Sequence, residues 1–166
     1  MIAERVLVLG VGNDLLGDDA VGLLAAEALR EEGLPVETTT RSGLALLDAV
    51  VGVRKVLLLD SQVAGAAVGE VQEFTLAPDA VRSPSAHYVG YGEALAIGAA
   101  AGLDLPDEIR VLAVERSPEV WLGTDLSDPV RAALPAVVRR AREIIRGWML
   151  ADGASLARPC VTEPGV

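Results

Sequence analysis

The sequence has little on which disulfide, membrane or simple hydrolase chemistry could rest. A single cysteine, Cys160, rules out an internal disulfide, and its setting among Pro159, Pro164 and Gly165 gives it no structural role. The longest apolar runs, Val56 to Leu59 and Ala94 to Ala101, stop well short of the roughly 20 residues of a membrane-spanning helix. The start, Met1-Ile2-Ala3-Glu4-Arg5, runs straight into a strand pattern without a leader-like charged and apolar stretch, so a soluble, cytoplasmic protein is expected. Basic side chains are also in deficit: 14 against 24 acidic ones give a formal charge of −10, which repels nucleic acid and anionic lipid and weakly favours a partner with basic patches.

Several catalytic signatures are missing too. No HExxH helix is present to build a common zinc protease. A Ser–His–Asp triad is formally available through Ser61 or Ser85, but no G-x-S-x-G turn supports it. No internal repeat or interdomain linker interrupts the chain.

What is present is one domain's worth of chain: 166 residues, 51% hydrophobic, enough to bury a core without covalent staples. Arg5 to Gly10 reads as a buried parallel strand. A helix follows, capped by Asp18 or Asp19, with Val21, Leu24, Ala25, Ala28 and Leu29 on one face and its end at Gly33. A strand near 36–40, a short helix around 44–50 and a strongly apolar strand over 53–59 that stops at Asp60 repeat the alternation, as a right-handed parallel unit would.

Residues 70–76, rich in polar side chains, read as an edge strand. The longest loop then passes Pro78, Pro84 and His87, before an Ala-rich helix near 92–101 and a strand over 109–114. Asp128-Pro129 starts a final helix whose face is Val130, Leu134, Val137, Ala141, Ile144 and Trp148, with Pro135 expected to kink it or delay its start. The sum is a single three-layer α/β/α sandwich over 1–150. Its twisted sheet has five mostly parallel strands with one antiparallel edge strand, and 151–166 is expected to be a flexible tail.

In such a sheet ligands gather at the carboxyl ends of the strands, and the segment after the first strand, Gly10 to Gly22, is the most informative there. Leu15 occupies the place where a dinucleotide-binding turn needs glycine, and Asp18 and Asp19 put negative charge where a pyrophosphate would sit. The segment offers instead a glycine turn and two carboxylates at a helix N-terminus, which serve equally as caps or as ligands. Asp60, the first polar residue after an apolar strand, stands at the same edge, as a turn residue or as a second ligand. His87 is the only histidine; a lone histidine is more often a satisfied surface group than a ligand. Two carboxylates and one imidazole with open positions suit Ni²⁺ or Zn²⁺ and are too few for a closed structural site.

Gly10, Gly12, Asn13, Leu15, Asp18, Asp19 and Gly22 fill the fixed positions of G-x-G-N-x-L-x-x-D-[DE]-x-x-G, and in this the chain resembles the hydrogenase maturation protease family. The resemblance extends to Leu58-Leu59-Asp60-Ser61, Gly69-Glu70-Val71, Ser85-Ala86-His87 and the turn Gly123-Thr124-Asp125-Leu126-Ser127, over roughly residues 5 to 147. It implies an endopeptidase that removes the C-terminal extension of a [NiFe]-hydrogenase large-subunit precursor after nickel insertion. Asp19, Asp60 and His87 are then the metal-binding and catalytic residues, and the nickel is supplied by the precursor. Zinc or cadmium is expected to be able to occupy the same site in vitro.

Gly12, Asn13, Arg41, Ser42 and Gly43 are the expected substrate contacts, and the protein is expected to be a monomer or weak homo-oligomer. One departure stands out: where family members often carry D-G-G-T-x-G, this chain has Thr39-Thr40-Arg41-Ser42-Gly43, so the hydrogenase served is not legible from this loop. A peptidase of another specificity on the same fold, or a non-catalytic binding module using the same residues, are the alternatives.

Overall fold

The computed structural model describes residues 6–41, 43–76 and 89–151. Its strands are β1 (Val6–Val11), β2 (Val36–Thr39), β3 (Lys55–Gln62), β4 (Val71–Leu76) and β5 (Glu108–Glu115); its α-helices are α1 (Val21–Glu31), α2 (Leu47–Val50), α3 (Val89–Ala100) and α4 (Asp128–Ala151). The sheet order is β2-β1-β3-β5-β4. All neighbours are parallel except β4, which runs antiparallel along β5 at the edge. The expected α/β sandwich with one antiparallel edge strand is what the chain forms.

Alternation along the central strands fills two cores, one on each face. Val56, Leu58, Val111 and Ala113 pack with α2, Tyr91 and Leu95 of α3 on one side. Leu57, Leu59, Leu112 and Val114 pack with α1 and α4 on the other. A strand covered on both faces has no polar side to show, which is why the centre of β3, Val56 to Leu59, reads as an unbroken apolar run.

Helix α1 ends where expected: Gly33, at φ +80, donates its N–H to Arg30 O (2.9 Å) and Leu34 donates to Leu29 O (3.3 Å), closing the last turn. Its buried face is Val21, Gly22, Ala25, Ala26 and Leu29, whereas Leu24 is exposed. The expected stripe is therefore rotated, because Gly22 and Ala26, too small to register as hydrophobic anchors, are the residues against the sheet. Helix α4 runs through Pro135 unbroken and starts one residue earlier than a cap at Asp128 requires. It buries Val130, Ala133, Val137, Ala141, Ile144, Ile145 and Trp148. Among the described residues no helix is long and apolar enough to cross a membrane.

Strand β3 does not stop at Asp60. Asp60, Ser61 and Gln62 continue pairing with Ala113, Val114 and Glu115 of β5, while the pairing to β1 ends one residue earlier at Gly10 and Leu59. Asp60 thus stands at the carboxyl edge on the β1 side only. Sequence polarity marked the loss of one neighbour, not the end of the strand.

Candidate functional site at the carboxyl edge of the sheet

Two close backbone approaches position the acidic turn. A Cβ on Gly22 would lie 2.3 Å from Leu59 O and 2.4 Å from Val11 O, so the start of α1 rests directly on the ends of β1 and β3. Gly12, at φ +154, packs against the Asp19 carbonyl, where a Cβ would come within 2.0 Å. Its N–H donates to Thr39 O at 3.3 Å. Between these glycines, Asn13 Oδ1 accepts from Leu15 N (3.0 Å) and Asn13 O from Leu16 N (3.2 Å), an Asx-type turn. Residues 15–17 then pair with Gly123, through Gly123 N to Leu15 O and Gly17 N to Gly123 O, both 2.8 Å. The exposed side chains of Leu15, Val120 and Leu122 flank this pairing.

The two neighbouring aspartates have different fates. Both lie in a 3-10 turn, Gly17–Ala20, ahead of α1, and neither side chain caps that helix. This corrects the expectation of an Asp18 or Asp19 cap: the 3-10 turn places its own backbone where a capping carboxylate would reach. Asp18 is buried and accepts from Ser127 N (2.7 Å) and Ser127 Oγ (2.8 Å) just before α4. Asp19 is directed to β3, where its Oδ1 accepts from Ser61 Oγ at 2.8 Å.

Ser61 joins both candidate carboxylates. Its hydroxyl donates to Asp19 and its backbone N–H donates to Asp60 Oδ1 at 2.7 Å. Asp60 is almost wholly buried, and its Oδ2 accepts from Tyr91 Oη at 3.4 Å. Burial, and next the negative charge of Asp60, push the Tyr91 hydroxyl far above its ordinary range. It therefore acts as a permanent donor. Arg116, the residue after β5, completes the group: its Nε donates to Ser61 Oγ (3.2 Å) and lies 3.6 Å from Asp19 Oδ1.

Strand and turn thus bring Asp19 and Asp60 together, as the sequence reading expects. His87 and Ser42 lie outside the described residues. Among the described residues no three His, Cys, Asp or Glu side chains surround a common metal position; Asp19 and Asp60 meet as two oxygen donors braced on Ser61. Arg41 lines a shallow groove with Asp14, Leu23, Leu24, Glu27 and Thr39, beside the turn of Gly12 and Asn13. Gly43 opens the 3-10 turn before α2.

Sequence reading missed Tyr91 and Arg116 and weighed Ser61 only as a nucleophile. The position of Arg116 was accessible in principle: parallel strands end at one edge, so the first polar residue after each belongs to one neighbourhood.

No family model matches the chain. The hydrogenase expression/formation protein HupD of Rhizobium leguminosarum bv. viciae is 28% identical over 163 residues, covering 90% of this chain and 78% of that protein. Its counterpart HoxM of Azotobacter vinelandii is 28% identical over 158 residues, 87% of this chain and 74% of that one. Among solved structures, the [NiFe] hydrogenase maturation protease HybD from Thermococcus kodakarensis superposes with a TM-score of 0.69 at 28% identity, over 84% of this chain and 98% of that one. The hydrogenase maturating endopeptidase HybD from E. coli, at 23% identity, shares the fold with a TM-score of 0.73 over 87% of this chain and 93% of that one. By its architecture and these similarities the chain is an α/β endopeptidase. Its similarities, in sequence and in fold, are to hydrogenase maturation proteases.

Proposed function

We propose that this endopeptidase removes the C-terminal extension of a [NiFe]-hydrogenase large-subunit precursor after nickel insertion, in the cytoplasm, and recognises the bound nickel through Asp19, Asp60 and His87. The observation that carries the reading is the junction at Ser61, which holds two carboxylates from separate elements on one residue. Carboxylate oxygens and one imidazole make an incomplete set for a borderline divalent ion. Incompleteness suits a metal that arrives with ligands of its own, as cargo of the substrate.

The chain's residues then have distinct tasks. Asp60, buried and bonded to Ser61 and Tyr91, is a fixed group, whereas Asp19 sits at the more open side of the pair. Nickel held here fixes the scissile peptide beside the carboxylates, which supplies effective molarity, and a carboxylate that does not ligate is placed to accept a proton from the attacking water. Gly12, Asn13, Arg41, Ser42 and Gly43 contact the substrate in this reading; the groove beside Arg41 supports it. Ser61 is a brace, its hydroxyl held between a carboxylate and a guanidinium.

The test is incubation of nickel-loaded precursor with the protein and with Asp19→Asn and His87→Ala. Shortening by the wild type alone is expected. Normal cleavage by both variants contradicts the assignment, and complex formation without a shortened product identifies a binding module instead.

A further inference from the structure

Two carboxylates joined on one serine would by themselves attract any free divalent ion. Arg116 stands against that. Its side chain is 15% exposed, and its guanidinium is held by Ser61 Oγ through Nε (3.2 Å) and by Ser117 O through Nη1 (3.0 Å), 3.6 Å from Asp19 Oδ1. A cation so fixed, in a place poor in water, cancels part of the negative potential that Asp19 and Asp60 create. It is tied to its own strand end and to Ser61, so it stays beside Asp19 when an ion enters rather than swinging away.

We propose that Arg116 is a built-in counter-cation that weakens the site for free divalent metal and so reserves it for metal already ligated by the substrate. This rests on the reading of Asp19 and Asp60 as metal ligands. Arg116 acts through Asp19 and Ser61 without touching the reacting atoms, and is a specificity-determining residue. If the same contacts only held Asp19 in place, removing them would misplace a ligand and weaken metal binding. A counter-cation predicts the opposite sign.

The test is calorimetric titration of the full chain with Zn²⁺ alone and with Ni²⁺ alone, at low ionic strength. Removing a positive charge this close to the ion should tighten binding on the order of tenfold or more in Arg116→Gln, whose amide nitrogen stands where Nε does and keeps the donor for Ser61, while Arg116→Lys stays within about twofold of wild type. The gain must vanish in the Asp19→Asn, Arg116→Gln double variant. Arg116→Met, neutral with an apolar stem, must show the same gain and serves where the glutamine variant fails to fold.

Unchanged or weaker binding in the neutral variants overturns the proposal, as does a gain that survives loss of Asp19. Processing blocked by Asp19→Asn, with zinc affinity indifferent to Arg116, would sink this inference and leave the proposed function standing. An Asp19-dependent gain in zinc affinity, with normal processing by Asp19→Asn, would do the reverse.

Discussion

Ser127 donates both its backbone N–H and its hydroxyl to the carboxylate of Asp18, 109 positions earlier, at 2.7 and 2.8 Å. This pair of hydrogen bonds fastens the turn that carries Asp19 to the start of α4. Deleting it leaves the part-buried Ser127 donors without their acceptor, so Asp18→Ala should lower stability by about 2 kcal/mol and Asp18→Asn by about 1 kcal/mol. Urea unfolding measures both; a loss under about 1 kcal/mol for Asp18→Ala would show that the tether matters little.

Gly22 has no room for a side chain, since its Cβ would meet two carbonyl oxygens, Leu59 O and Val11 O, neither able to retreat without breaking the sheet. Gly22→Ala should cost about 2–3 kcal/mol or more and shift α1 outward, carrying Asp19 with it. Chemical unfolding and metal titration on the same variant check the two effects. Full stability would mean that α1 sits farther from the strands than described.

Tyr91 is buried beside Asp60 and holds its proton far above the ordinary tyrosine range. The unfolded chain releases that proton near pH 10, so above this point the unfolded state binds fewer protons than the folded one. Stability is therefore fully present below about pH 10 and falls above it, by about 1.4 kcal/mol per pH unit from this group. Tyr91→Phe should flatten that decline in alkaline unfolding curves. Spectrophotometric titration should show no phenolate from Tyr91 until the chain unfolds.

Much of this was legible in the sequence because periodicity and polarity speak directly of burial. The apolar run of β3 and the polar run of β4 separated the sheet's centre from its edge, and Gly33 marked the end of α1. Asp19 and Asp60 could be placed together because both follow strands that end at one edge. Capping was misjudged because Asp18 and Asp19 look alike in sequence, and their roles diverge only through partners, Ser127 and Ser61, that lie far along the chain. Arg116 and Tyr91 were not found for the same reason: their meaning comes from neighbours on β3, which no local pattern records.

Ser61 separates bracing from ligation. Ser61→Ala keeps both carboxylates but loses the hydroxyl that orients Asp19, so the rate of precursor cleavage should fall about tenfold, roughly 1.4 kcal/mol of barrier, with the fold intact. Asp60→Asn should instead abolish cleavage. Equal and complete loss in both variants, with native circular dichroism, would assign the hydroxyl a direct chemical role.

The central claim is met most directly by mass spectrometry of a nickel-loaded [NiFe]-hydrogenase large-subunit precursor co-expressed with this protein or with its Asp19→Asn variant. The account predicts loss of a defined C-terminal peptide with the wild type and an intact precursor with the variant. Cleavage at the same bond by Asp19→Asn would contradict it.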